Sequence, residues 1–365
     1  MKLIVSVPII VALVYRAWSR KSLTPFGIVV AALTAIAHAV NPWSLPLFLL
    51  LVFYLGGTKA TKVKHDIKAQ LTLSATGSHG GEGARTHVQV LANSIVATVL
   101  SMAHAWVLRN NKADGPSAEC FSNGRHAADL LVVGIVANYA AVAADTFSSE
   151  LGILSKSKPR LITSPTLRVV PPGTNGGVTG TGILAGVFGA FTIAVTSAIL
   201  LPFCGSFMST LQDRIILILA TTAWGALGSV LDSVLGGLLQ ASVVDKRSGK
   251  VVEGTGGQKV LLHPSSTKPG SAAETFRPAA GATGAQLRNA EAVANTAALK
   301  GTRATGSSTG TKKGEETLHE SRRIESGHDI LDNNAVNVLM ALIMSMGAMM
   351  VAGRVWDLSV WDAFA

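Results

Sequence analysis

Apolar residues gather in eight stretches, at about 3–15, 25–40, 45–58, 88–108, 127–144, 178–201, 214–235 and 335–353. A helix that crosses a bilayer needs roughly 20 such residues. The stretches at 88–108, 178–201 and 214–235 meet that length, while the first three are short enough to be tilted, re-entrant or partly interfacial. Pro42 and Pro46 break the chain between the second and third stretches and predict a tight turn between paired helices. Leu3 to Tyr15 behind Lys2 has the outline of a signal-peptide core. Arg16, Arg20 and Lys21 follow it without a small-residue cleavage site, so it reads as an uncleaved first span. The pattern predicts an all-α fold, a polytopic integral membrane bundle of about seven to eight transmembrane helices, some short or broken.

Composition agrees. Of the 365 residues 48% are hydrophobic and only 14% charged, too few charges to cover a soluble enzyme of this size. The mean hydropathy is +0.41. Two cysteines, Cys120 and Cys204, exclude a disulfide-built fold and the common multi-cysteine metal sites. The net charge of +10 then concerns loops and lipid headgroups, with no nucleic acid expected as a partner. If all eight stretches cross, the connections 16–24, 59–87, 145–177 and 236–334 share one side and hold 25 of the 31 Lys and Arg residues. That bias puts this side in the cytoplasm.

Between the last two stretches the composition changes. Residues 246–327 are rich in Gly, Ala, Ser and Thr with scattered charges, too poor in large apolar side chains to offset the entropy of ordering. The chain thus divides into a first membrane core segment (1–245), a flexible cytoplasmic insertion (246–327) and a closing helix (328–365). Across its leading edge Val243 to Val252, centred on Ser248-Gly249-Lys250, predicts a small hairpin.

Under this topology the polar residues at span ends collect on one face. They comprise Asp145 and Glu150, Asp232 with Gln240, Asp332 with Asn333, Asn334 and Asn337, and Arg85 with Asn93. Such groups at membrane depth are costly unless they pair or line a polar cavity. Asp145 and Glu150 are five apart, so a straight helix does not set them side by side. The run Val170-Pro-Pro-Gly-Thr-Asn-Gly-Gly177, just before the sixth helix, can aim the N–H groups around Gly173, Asn175, Gly176 and Gly177 at an anion. It lacks the lysine of the nucleotide-binding phosphate loop; a re-entrant turn without ligand is its plainer reading. Lys62 and Lys64, with Lys59 and Lys68, form a basic cluster, and Lys64 and Lys68 would repel on a helix unless an anion sits there. Carboxylates, amides and basic groups on one membrane surface suit Mg²⁺ and a transferring phosphoryl group. An apolar groove beside the fourth, fifth or seventh stretch would hold an acceptor's hydrocarbon tail.

Six blocks carry a resemblance: Thr86-His-Val-Gln-Val-Leu-Ala-Asn93, Ala144-Asp-Thr-Phe-Ser-Ser-Glu-Leu-Gly152, Pro159-Arg-Leu-Ile-Thr163, the run 170–177, Gly228-Ser-Val-Leu-Asp-Ser-Val-Leu-Gly236 with Gln240, and Asp332-Asn-Asn-Ala-Val-Asn337. In this order the chain resembles the transmembrane protein 19 family, which includes the phytyl-phosphate kinases of vitamin E synthesis. The insertion departs from that family's compact pattern but falls between Gln240 and Asp332. The resemblance implies a kinase that converts an isoprenyl monophosphate (phytyl, geranylgeranyl or farnesyl phosphate) to the diphosphate, with CTP or ATP and Mg²⁺. It implies Asp145, Glu150, Asp232 and Asp332 as catalytic and metal groups. Arg85, Arg160, Arg168 and Lys62 or Lys64 would meet phosphates, and Asn175, Asn334 and Asn337 would orient ligand oxygens. Its expected partners are the isoprenyl-phosphate lipid, the nucleotide, membrane lipids and a homodimeric second copy, in the endoplasmic reticulum membrane with the site toward the cytoplasm. A nucleotidyltransferase making an activated lipid and a transporter of an anionic solute or lipid are the competing readings.

Overall fold

The computed structural model describes residues 3–75, 78, 80, 83–110, 120–206, 210–260 and 322–364. Their helices are α1 (Leu3–Ser19), α2 (Pro25–Ala39), α3 (Leu45–Lys62), α4 (His65–Leu71), α5 (His87–Asn110), α6 (Ala128–Gly152), α7 (Gly180–Leu200), α8 (Leu211–Leu239) and α9 (Asn333–Trp356). Between Leu130 and Ala144 helix α6 is, apart from Asn138, apolar or small-sided all round, the pattern of an element with no solvent or lipid face. It occupies the centre, with Leu130, Leu131, Ile135 and Tyr139 enclosed, and α3, α5, α7, α8 and α9 pack about it. Helix α8 can lie directly on α6 because Gly228 has no side chain: a Cβ there would stand 2.6 Å from Ala141 Cβ. The periphery, such as Leu184, Phe188 and Leu219, is apolar and exposed, as lipid contact requires. Enclosed polar groups pair between helices: Tyr139 OH and His38 Nε2 lie 2.7 Å apart, and Asn41 Nδ2 and His104 Nδ1 3.0 Å apart.

The number of spans is smaller than the sequence suggests. Helices α5 to α9 are long and apolar enough to cross; α3 joined to α4 across a 68° bend makes a sixth at most. Helix α1 has 17 residues with Pro8 inside it, and α2 has 15. At about 1.5 Å per residue they reach roughly 25 and 22 Å, short of the ~30 Å hydrocarbon core.

At the end of the bundle where α5, α7 and α9 begin and α6 and α8 finish, four strands form a small sheet ordered β1-β5-β4-β6. They are β1 (Leu73–Ser74), β4 (Ser242–Asp245), β5 (Val251–Glu253) and β6 (Arg322–Ser326). The expected hairpin is present: β4 and β5 pair antiparallel, and Asp245 Oδ2 accepts from Ser248 N and Oγ, both at 2.8 Å, to fix its turn. A second pair, β2 (Arg160–Leu161) and β3 (Gly177–Val178), brackets the glycine-rich run. Of the insertion expected at 246–327, the shoulders 246–260 and 322–327 belong to or adjoin this sheet; residues 261–321 lie outside the described residues. At the far end Cys120 and Cys204 form a disulfide joining the α5–α6 and α7–α8 connections.

Candidate functional site

Beneath the sheet lies a cavity of about 420 Å³ at the meeting of α5, α6, α8, α9 and the glycine-rich run. Asp145, Glu150, Asp232, Arg85, Asn93, Gly173, Asn175, Gly176, Gly177, Gln240, Asn333, Asn334 and Asn337 all line it. Residues as far apart in the chain as Arg85 and Asn337 are brought together because the helices that carry or adjoin them end, or begin, at this one face of the bundle.

Helix α6 runs unbroken through Gly152, so Asp145 and Glu150 diverge as their spacing requires. Asp145 turns to α8, where its carboxyl group lies beside that of Asp232. Glu150 turns to α3 and α4: its carboxylate accepts from Lys68 Nζ and Thr61 Oγ1, each at 2.6 Å, and lies 3.7 Å from Arg85. The anion that relieves the Lys64–Lys68 repulsion is therefore Glu150. Lys68 is buried and also reaches the Ala60 and Thr61 carbonyls. Lys62 and Lys64 are exposed and away from the cavity lining, with Lys64 in the left-handed region at the kink before α4.

Asp332 does not join the other carboxylates. It N-caps α9, accepting from Ala335 N at 2.8 Å, and lines an adjoining cavity of about 520 Å³ under β4 and β5. Nor does Glu150, held by Lys68, complete a ligand set. Among the described residues no three His, Cys, Asp or Glu side chains gather as a metal-holding group; of the expected four, only Asp145 and Asp232 stand together.

That pair has company. Asp232 Oδ1 and the Oδ1 atoms of Asn93, Asn334 and Asn337 are shielded and without a hydrogen-bond partner. Native proteins rarely leave buried acceptors unmatched, so four oxygens around one cavity form a cradle for a cation or for donors on a ligand. Asn334 is aimed by its other end, Nδ2 donating to Gly256 O at 3.0 Å, as Asn93 is by its Nδ2 bond to Gln89 O. Gln89 itself closes a capping box with Thr86 at the start of α5.

The glycine-rich run packs against α8. Gly176 has φ of +76° and lies so near that a Cβ would stand 2.8 Å from Gly237 Cα and Ser233 O; only glycine fits. The Gly177 N–H is used inside the run, on Thr174 O, and Asn175 N donates to Ser242 Oγ. The expected anion-holding row of N–H groups is thus partly consumed by the turn itself. The two arginines expected at phosphates point elsewhere: Arg160 donates to Leu167 O, and Arg168 grips Glu325 of β6 through its carboxylate and carbonyl. In their place the exposed Lys156 and Lys158 stand at the cavity wall. These two were legible as part of the same basic loop but had no block to single them out. Asn138, enclosed in α6 with Nδ2 toward Asn93 O, was missed as well, though a lone amide in an apolar run was its signal.

Comparison with known proteins accords with this arrangement. The model of the integral membrane protein DUF92 family matches residues 8–345. Protein PGR of Arabidopsis thaliana is 35% identical over 254 residues, covering 69% of this chain and 83% of that protein. The uncharacterized membrane protein MJ0933 of Methanocaldococcus jannaschii is 45% identical over 109 residues, which are 30% of this chain and 40% of its own length. No solved structure matches the chain. The expected placement in the endoplasmic reticulum membrane does not stand against the match to the plant relative and is withdrawn.

Proposed function

Because the chain belongs to the DUF92 family of integral membrane proteins, to which the transmembrane protein 19 resemblance leads, we propose that it is a membrane-embedded isoprenyl-phosphate kinase. It transfers the terminal phosphoryl group of CTP or another nucleoside triphosphate to an isoprenyl monophosphate. A phosphate oxygen of the acceptor attacks the γ-phosphorus, the bond to the β–γ bridging oxygen breaks, and the nucleoside diphosphate leaves with that electron pair. The acceptor supplies its own nucleophile, so the protein needs no covalent intermediate. What it must provide is position and charge.

The observation that carries this reading is the single cavity in which the Asp145–Asp232 pair, four unpaired oxygens and two lysines meet at the end of the membrane bundle. The donor set fits Mg²⁺, which takes one or two carboxylates and fills its remaining positions with water and nucleotide phosphates. Asp145 and Asp232 would hold it, with the amide oxygens of Asn93, Asn334 and Asn337 in reserve; bound there it would neutralise charge on the nucleotide phosphates. Lys156 and Lys158 meet the phosphates at the entrance, and Arg85, steadied by Thr61 at 3.1 Å and by Glu150, stands where the acceptor phosphate enters.

The test is direct. Purified protein with labelled geranylgeranyl phosphate, CTP and Mg²⁺ is expected to yield the diphosphate and CDP. Release of inorganic diphosphate instead would mark nucleotidyl transfer, and an acceptor and nucleotide panel with no turnover would overturn the kinase reading.

A further inference from the structure

A second, apolar cavity opens between α1, α2, α3 and α5, with about 80 Å³ of space. Ile10 and Leu13 of α1, Ala31 and Ala35 of α2 and Phe53 of α3 form its walls. It adjoins the polar cavity, because Arg85, Gln89 and Asn93 line both. We propose that this slot seats the isoprenyl chain of the phosphate acceptor, with the acceptor's phosphate passing Arg85 into the polar cavity. The assignment rests on the kinase reading for its phosphate end and on the slot's own chemistry for its tail.

That chemistry admits hydrocarbon and little else. The slot's hydroxyls are already engaged: Thr34 Oγ1 donates to Val30 O at 2.9 Å, Ser94 Oγ to Val90 O at 2.8 Å, and Tyr54 OH pairs with Ser22 Oγ at 2.9 Å. A base or ribose placed among these helices, away from the Arg85, Gln89 and Asn93 end, would lose its hydrogen bonds to water and find few in exchange. An isoprenyl chain loses nothing and buries its surface. The outer faces of the same two helices are apolar and exposed, with Val11 of α1 and Val29 and Leu33 of α2. The small side chains of Ala31, Ala32 and Ala35 leave the space beside α2 unfilled. The short helices α1 and α2 thereby acquire a purpose that crossing the bilayer does not give them. The one charged group on the wall, Arg85, sits where the two spaces meet, matching a ligand that is apolar along its length and anionic at one tip.

A geranylgeranyl phosphate analogue with a diazirine on its terminal isoprene unit, irradiated with the full-length protein in lipid nanodiscs, is expected to label α1 and α2 peptides. Geranylgeranyl phosphate should compete for that labelling and phosphatidic acid should not. Ala35→Phe should weaken it about tenfold and shift the ratio of geranyl to geranylgeranyl phosphate turnover about tenfold toward the shorter acceptor. Ile10→Trp, on the other wall, should do the same if Ala35→Phe does not yield folded protein. Labelling of other helices, equal competition by phosphatidic acid (an ordinary bilayer chain in the slot), or an unmoved chain-length ratio would overturn the proposal. Competed labelling in a protein that turns over no acceptor would sink the kinase reading and leave the slot standing; turnover with labelling elsewhere would do the reverse.

Discussion

Asp232 and Asp332 bring the same side chain to the same end of the bundle and meet different surroundings. Asp232 keeps one shielded oxygen without a partner beside Asp145, whereas Asp332 uses Oδ1 on the Ala335 N–H. Asp232→Asn is therefore expected to lower CTP-dependent turnover by about 100-fold or more, measured with labelled acceptor. Asp332→Ala should instead cost about 1 kcal/mol of stability, the ordinary worth of an N-cap, and leave turnover in place; a rate collapse there would return Asp332 to the site. Glu150 and Lys68 form a second contrast, because both are largely enclosed. Lys68→Met strands a carboxylate and should destabilise the protein by about 3 kcal/mol, while Lys68→Met with Glu150→Met should recover most of the loss. Thermal unfolding of detergent-solubilised protein separates the two. That Asp145, Glu150, Asp232 and the amides of α5 and α9 would share one end was readable from the sequence, since a polar group at the end of an apolar run has few places to go; that Asp332, Lys62, Lys64, Arg160 and Arg168 would stay out of the cavity was not. Which carboxylate each base would choose was not: the Lys68–Glu150 pair spans 82 positions, and no local pattern encodes it.

At the scale of elements, α8 carries its site residue on a helix positioned by glycine. Gly228 sets its backbone against Ala141 of α6, one turn from Asp232. Gly228→Val would push α8 off α6, cost about 2 kcal/mol by overpacking, and reduce turnover by widening the Asp145–Asp232 contact. Gly180→Ala, where nothing lies within 4 Å of the added carbon, is the matched control and should leave melting temperature and turnover unchanged. The long helices α5, α7 and α8 were plain in the hydrophobic pattern because their apolar runs exceed a bilayer's thickness. The short ones misled the span count, for a run of about 15 apolar residues suits a shallow helix as well as a crossing one. The hairpin β4–β5 was visible in its Ser248-Gly249 turn. The pairing of β1 and β6 with it joins segments nearly 250 residues apart, beyond the reach of local patterning.

The whole molecule is polarised. One end holds the sheet, both polar cavities and the lysines; the other holds the disulfide between Cys120 and Cys204. Counting cysteines excluded a disulfide-built fold correctly, yet gave no hint that the two would meet across 84 positions. Closing a loop of that length contributes on the order of 2–4 kcal/mol, so Cys120→Ser should lower the unfolding midpoint of the purified protein while the distant site keeps its turnover.

A cystine of this kind survives where thiol buffers do not reach, which makes it a built-in compass. In sealed vesicles of known orientation, a phosphine reductant unable to permeate should cleave it from one face only, and a maleimide probe should then tag the pair from that face alone. Nucleotide should be consumed from the other.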